Sequence, residues 1–226
     1  MTRPGRFWQR LRRDIARGPS ATRQHYFTLP RIREWSWPFW RETPRDVPIH
    51  VLTSADDWEM AAWMLASFFH FSEHAWPVVI HDDGTLPTEA RATLTGIFTN
   101  ARFIDRKEAD ETMDQVLKPF PFCYEYRGMS PLALKIFDVA HYATSDRFMI
   151  FDSDLLFFNY PREIMAWAGK SSEECWFNAD AKEGALLTSQ EAKVELKVDL
   201  WPRVNSGLCL MHKAAIDLDL CDRALA

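Results

Sequence analysis

From residue 48 onward, short apolar runs alternate with segments whose apolar positions recur every three or four residues. Residues 49–53 and 76–82 read as strands, and 102–105 as a shorter one. Residues 147–151 form a near-continuous apolar run, the pattern of a strand covered on both sheet faces. Between these runs, 56–71 reads as an apolar helix. Pro87 opens another, in which Ala90, Leu94, Ile97 and Phe98 share a face. Residues 108–117 read as helical. Ser130 as N-cap with Pro131 behind it starts a helix to about Tyr142. The order predicts one α/β domain, an open mixed sheet, mostly parallel, flanked by helices.

Residues 1–47 break this pattern and read as an appended arm, with the domain proper at 48–226. Along 6–17, Phe7, Trp8, Leu11 and Ile15 fall near one helical face among arginines. Such a helix either lies on an anionic membrane surface or docks, solvated, on the domain; the pattern leaves both open. Gly18-Pro19-Ser20 ends it. The next segment, with Trp35, Trp37, Pro38, Phe39, Trp40 and Pro44, reads as irregular chain pinned by aromatics.

Charge sharpens this division. Residues 1–48 hold 11 Arg, no Lys and four acids, a charge of +7, which leaves −12 on the remainder. An acidic body repels phosphate backbones and argues against nucleic acid as a partner. Any phosphate ligand it binds needs a cation. No apolar run reaches the roughly 18 residues of a membrane span, and no signal-peptide pattern opens the chain. Cys123, Cys175, Cys209 and Cys221 form no CxxC pair and read as reduced, buried small hydrophobes rather than a zinc site. The expectation is a cytoplasmic protein, peripheral at the inner face of the membrane if the arm binds lipid.

Two carboxylates appear abruptly where the buried 147–151 strand should end, in Asp152-Ser-Asp154. If the backbone stays extended, the two side chains point to one side, about 6–7 Å apart. Ligands of open α/β sheets bind beyond the carboxyl ends of the strands. Hard oxygen ligands there suit Mg²⁺ or Mn²⁺, which also coordinate phosphate. Asp-Ser-Asp is equally a good turn or helix cap. Asp82-Asp83-Gly84 could be a second acidic site but reads better as a turn. His81 and His141 have no partner at a metal-like spacing and read as structural.

Three stretches in order resemble the GT-A nucleotide-sugar transferases, in particular glycosyltransferase family eight, which includes glycogenin and bacterial lipopolysaccharide sugar transferases. They are Leu52-Thr-Ser-Ala-Asp-Asp-Trp58 followed by Leu65-Ala-Ser67, then Asp152-Ser-Asp154, then Asn205-Ser-Gly207 before the apolar run 208–211. The resemblance spans about 49–212. It implies a GT-A fold and a sugar moved from a nucleoside-diphosphate sugar, a UDP-sugar, to a hydroxyl of a glycan or lipid-linked acceptor, with retention at the anomeric carbon. It further implies that Leu52, Thr53, Ser54, Asp56 and Trp58 bind the nucleoside and that Asp152 and Asp154, with Ser153 between them, hold Mn²⁺ or Mg²⁺. Lys135 and, more weakly, Arg127 would stand near the sugar diphosphate, and Asn205 and Ser206 would contact donor sugar or acceptor. Lys135 interrupts an apolar stretch (Leu132, Leu134, Ile136, Phe137), although a snorkelling surface lysine gives the same pattern. Ala55 stands where the family often has a polar residue.

The chain also departs from the family pattern. Family members continue past the Asn-Ser-Gly strand to a histidine that completes the metal site, whereas this sequence stops at Ala226, and His212 follows the strand too closely to be that ligand. The expectation is a domain lacking its C-terminal part, a site completed differently, or impaired catalysis. Two further readings stand beside the transferase. A strand ending in DxD also fits a haloacid-dehalogenase-type phosphatase with Asp152 as nucleophile, but that class carries its motif near the domain start. A non-catalytic nucleotide-sugar-binding remnant is the other.

Overall fold

The computed structural model describes residues 7–8, 11–12, 15–16, 18–34, 40–182 and 188–226. The chain falls into two compact units, Met1–Phe39 and Trp40–Ala226. In the first, Phe7, Trp8, Leu11, Arg12, Ile15 and Ala16 are helical, and Phe7, Trp8 and Ile15 are exposed. After Gly18, at φ +103°, the chain forms helical turns: α-helix at Pro19–Arg23, π-helix at Gln24–Thr28 and 3₁₀ at Leu29–Arg33. This corrects the irregular reading of the stretch after Ser20, because a proline at the first helical position restarts a helix as readily as glycine ends one. Trp35, Trp37, Pro38 and Phe39 lie outside the described residues.

The second unit is built on a sheet of six strands among the described residues. We number its strands β1 (Arg41–Glu42), β2 (Ile49–Thr53), β3 (His74–Ala75), β4 (Val78–Asp82), β5 (Ala101–Ile104), β6 (Arg147–Phe151), β7 (Trp176–Ala179) and β8 (Val204–His212). The large sheet runs β5-β4-β2-β6-β8-β7, while β1 and β3 form a separate parallel pair. Pairs from β5 to β6 are parallel; β8 runs antiparallel to both neighbours. The expected mixed, mostly parallel sheet is therefore present. The helices are α1 (Trp58–Ser72), α2 (Thr88–Ile97), α3 (Arg106–Val116), α4 (Pro121–Met129), α5 (Phe137–Tyr142), α6 (Arg162–Ala168), α7 (Ser189–Glu195) and α8 (Leu218–Leu225).

Aromatic packing fixes the central strands against α1. Phe68 meets Trp76, Phe151 and Phe157 with ring centroids 5.6, 5.1 and 4.9 Å apart. Phe157 follows the acidic pair, so this cluster anchors the chain on both sides of it. Ser67 Oγ accepts from the Phe157 amide at 3.2 Å, a second tie to the same segment.

Between β2 and β4, His50 Nδ1 and His81 Nε2 lie 2.9 Å apart, fully buried. Burial first, and then the Arg102 charge, hold His81 down to about 3; burial, then His81 and Arg102, lower His50 as well. Both rings are neutral and structural, as the sequence suggested for His81.

One expected element comes out differently. The stretch after Ser130 is a 3₁₀ turn at Pro131–Lys135 followed by the separate α5, and Ser130 makes no side-chain cap. The tighter 3₁₀ winding changes the direction in which Lys135 points.

Candidate functional site

At the carboxyl ends of β2 and β6 a cavity of about 290 Å³ is lined by Leu52, Thr53, Ser54, Asp57, Asp83, Pro131, Leu132, Lys135, Asp152, Ser153 and Asp154. The position follows from topology. Parallel β2 and β6 are neighbours, so the loops that follow both strands start at the same edge of the sheet, where ligands of such sheets bind.

Asp57 organises the first loop. Its Oδ1 accepts from Ser54 N at 2.6 Å, Ser54 Oγ at 2.7 Å and Thr53 Oγ1 at 3.1 Å. Its Oδ2 accepts from Ser153 Oγ at 2.9 Å, which ties this loop to the acidic pair. Asp57 occupies the N-cap position of α1, yet its carboxylate turns back onto the loop and caps no helix amide. Sequence reading singled out Asp56, but Asp56 is exposed and outside the cavity wall, where Asp57 stands instead. Two adjacent aspartates differ only in which one faces inward, and no periodicity distinguishes them in a turn.

The acidic pair leaves β6 through a turn, not in extended conformation: the Leu155 amide donates to Asp152 O at 3.4 Å. Both carboxylates still line the cavity. The Asp152 amide donates to Gly207 O at 2.7 Å. A Cβ added at Gly207 would stand 3.1 Å from Asp152 Oδ2 and 2.9 Å from Asn205 Oδ1. Glycine here is what lets the carboxylate lie against the β8 backbone. Lys135 Nζ donates to Asp152 Oδ1 in a short, partly buried ion pair.

The remaining expected residues scatter. Trp58 begins α1 buried in the core and is absent from the cavity wall, as its large apolar ring dictates once the helix packs. Asn205 Oδ1 accepts from Gly207 N at 2.8 Å, and its Nδ2 donates to Asp180 Oδ2 at 3.2 Å, so it shapes the β8 entrance. Ser206 is exposed beside it. Arg127 lies elsewhere, clamped by Asp138 at 2.7 and 2.8 Å and by Asp110 at 2.8 Å. Burial works against its charge, yet those hydrogen bonds hold its pKa above the ordinary value. It ties α4 to α5 and α3 and is not a cavity residue.

Asp83 does reach the cavity, but its Oδ1 accepts from Thr85 N and Oγ1 at 2.9 and 2.6 Å, and Asp82 Oδ1 accepts from Gly84 N and Leu86 N. With Gly84 at φ +96°, this segment is a side-chain-stabilised turn, as expected. The exposed Leu132 and its neighbour Pro131 form the cavity's apolar wall, which no sequence signal marked.

Asp152 and Asp154 belong to no cluster of three or more His, Cys, Asp or Glu among the described residues. Two hard carboxylates fit a divalent ion that draws its other ligands from phosphate and water, the usual habit of Mg²⁺ and Mn²⁺.

No protein-family model matches the chain, and no curated protein matches it. Among solved structures, the galactosyltransferase LgtC in complex with donor and acceptor sugar analogues aligns with TM-score 0.50 at 17% identity, over 76% of this chain and 61% of that one. An active-site mutant of LgtC aligns with TM-score 0.51 at 17% identity, over 79% and 63%. The apo form of mouse xyloside xylosyltransferase 1 gives TM-score 0.50 at 14% identity, over 79% and 68%. This chain thus spans less than two thirds of the LgtC chains. Likeness at such identities is one of architecture, and the architecture is that of the GT-A glycosyltransferases.

Proposed function

We propose that this protein transfers a sugar from a nucleoside-diphosphate sugar, a UDP-sugar by the family resemblance, to a hydroxyl of a glycan or lipid-linked acceptor. The observation that carries this reading is the convergence of Asp152, Asp154 and Lys135 with the Leu52–Ser54 loop in one cavity at the carboxyl edge of the sheet. Leu52, Thr53 and Ser54 offer backbone and hydroxyl groups to the nucleoside. Asp57 holds that loop and the acidic turn in one frame through Ser153. Asp152 and Asp154 are the residues that would hold Mn²⁺ or Mg²⁺. Bound there, the ion would stabilise negative charge on the departing diphosphate.

Lys135 places a second positive charge beside the same oxygens, and its bond to Asp152 keeps the ammonium aimed into the cavity. The chain's net acidity makes these cations necessary for any diphosphate to approach. The acceptor hydroxyl bonds to the anomeric carbon as that carbon's bond to the diphosphate breaks, and its proton leaves with the diphosphate oxygen, so no side chain need form a covalent bond to sugar; the resemblance to family eight supports retention.

Thermal unfolding with UDP tests the reading. With Mn²⁺ and UDP at about 100 times Kd, the melting point should rise by about 5–10 °C. UDP without metal should give little shift, and Asp152→Asn with Asp154→Asn should remove the metal-dependent rise. The same rise in the double variant would refute the assignment.

A further inference from the structure

A second cavity, about 950 Å³, opens on the other face of β8. Side chains alternate along that strand. Cys209 and Met211 pack into the core with Phe148 and Ile150, whereas Leu208 and Leu210 face the cavity. Phe157, Ile164 and Trp176 complete an apolar floor, and Trp201, 83% exposed, stands at the rim. The volume falls within the range of ligand sites, about 300–1,000 Å³.

The groove begins close to the acidic cavity along the chain, although the two share no lining residue. Leu208 is the register partner of Phe151, the residue just before Asp152. Phe157 lies three residues beyond Asp154, so at most about 11 Å of chain separates groove from carboxylate. The surface changes character along the way. At the end nearest Asp152 stand Asn178, its register partner Asn205, and Asp180, which accepts from Asn205. Away from it the lining is aliphatic and aromatic except for Glu163, which follows Pro161 and Arg162 at the start of α6. A glycan laid along that floor would leave its hydroxyls without partners, at a cost for each. A hydrocarbon would not.

We propose that this groove seats the hydrocarbon portion of an amphiphilic acceptor, whose hydroxyl-bearing head reaches the polar end beside Asp152 and Asp154. This rests on the sugar-transfer reading and names the acceptor's class as lipid-linked.

Alkyl maltosides below their micellar concentration, with maltose as the chain-free control, test the groove by tryptophan fluorescence. From octyl to decyl, affinity should tighten roughly fourfold per methylene, while maltose gives no saturable signal. Val204→Asp and Phe177→Asp, both at partly exposed positions, should weaken decyl maltoside at least tenfold. Neither should change the melting point or its rise with UDP and Mn²⁺. Maltose binding as tightly as decyl maltoside, or both variants binding as wild type does, overturns the proposal. So does a wild-type dimer by sedimentation that Val204→Asp dissociates, which would assign this face to a second copy. If wild type lacks the rise with UDP and Mn²⁺, the sugar-transfer reading fails, whatever the maltosides show.

Discussion

Gly207→Ala separates stability from site geometry. The added Cβ would meet Asn205 Oδ1 at 2.9 Å and Asp152 Oδ2 and Cγ at 3.1 and 3.5 Å. Asn205 can swing away only by giving up the Gly207 amide, a hydrogen bond worth about 1 kcal/mol. The Asp152 backbone is held to Gly207 O, so its carboxylate must rotate instead, at about 0.5–1.5 kcal/mol. Replacing a strand glycine returns about 0.5–1 kcal/mol of chain entropy. The terms leave a net loss near 1 kcal/mol, a fall in melting point of about 2–4 °C. Binding should suffer far more, because displacing a group that supports a metal ligand typically costs about 10–100-fold in affinity. Calorimetric titration of UDP with Mn²⁺ reads this second quantity. Gly128→Ala, with nothing within 4 Å of the new Cβ and a helical backbone, is the control and should be neutral or stabilising. Wild-type affinity in Gly207→Ala, with the fold intact, would refute the argument that this glycine positions Asp152.

Burial and the Arg102 charge hold His81 at about 3, against roughly 6.5 in an unfolded chain. Between those values the unfolded chain takes the proton first, so stability is full above pH 6.5 and declines as pH falls, by about 2 kcal/mol at pH 5 from this ring. Denaturant titrations at pH 7, 6 and 5 should show that slope reduced in His81→Gln, and equal slopes would refute the cause. Arg127→Met should destabilise by about 3–5 kcal/mol because Asp138 is left buried and unpaired. Arg127→Met with Asp138→Leu should recover most of that and keep the melting-point rise with UDP and Mn²⁺; loss of the rise alone would restore Arg127 to the diphosphate. For the arm, full-length protein should co-sediment with phosphatidylserine vesicles at low salt, and a chain beginning at Trp40, where the second unit starts, should not. Equal partitioning of the two would exclude the arm as a lipid contact.

The central strands were readable because burial on both faces leaves an uninterrupted apolar run, as in β6. The acidic pair was readable because charge follows that run at once. What escaped notice depends on contacts rather than on pattern. In α4 the fully buried positions are Cys123 and Arg127, and a buried arginine counts as polar in any hydrophobic periodicity. Strand β7 pairs on one side only and is largely exposed, so it lacks an apolar signature. Asp57 differs from Asp56 only through the hydrogen bonds it accepts. Lys135 was visible as a charge in apolar surroundings, whereas its aim depends on a 3₁₀ turn that the sequence read as ordinary helix. Trp58 shows the opposite error: an aromatic suited to stacking on a base was needed by the core.

The antiparallel insertion of β8 also sets the order in which the molecule becomes competent. Asp152 lies against Gly207, so the ribosome must add 55 more residues, Gly207 included, before that contact can form. At roughly 5–20 residues per second that is about 3–11 s. Until then the nascent chain carries both carboxylates and the parallel strands behind them, without the strand that fixes their orientation. Local pieces such as α1 with β2 can settle early, while this distant pairing waits on loop closure. Capacity to hold a nucleotide should accordingly appear late in synthesis, as a step that coincides with emergence of β8.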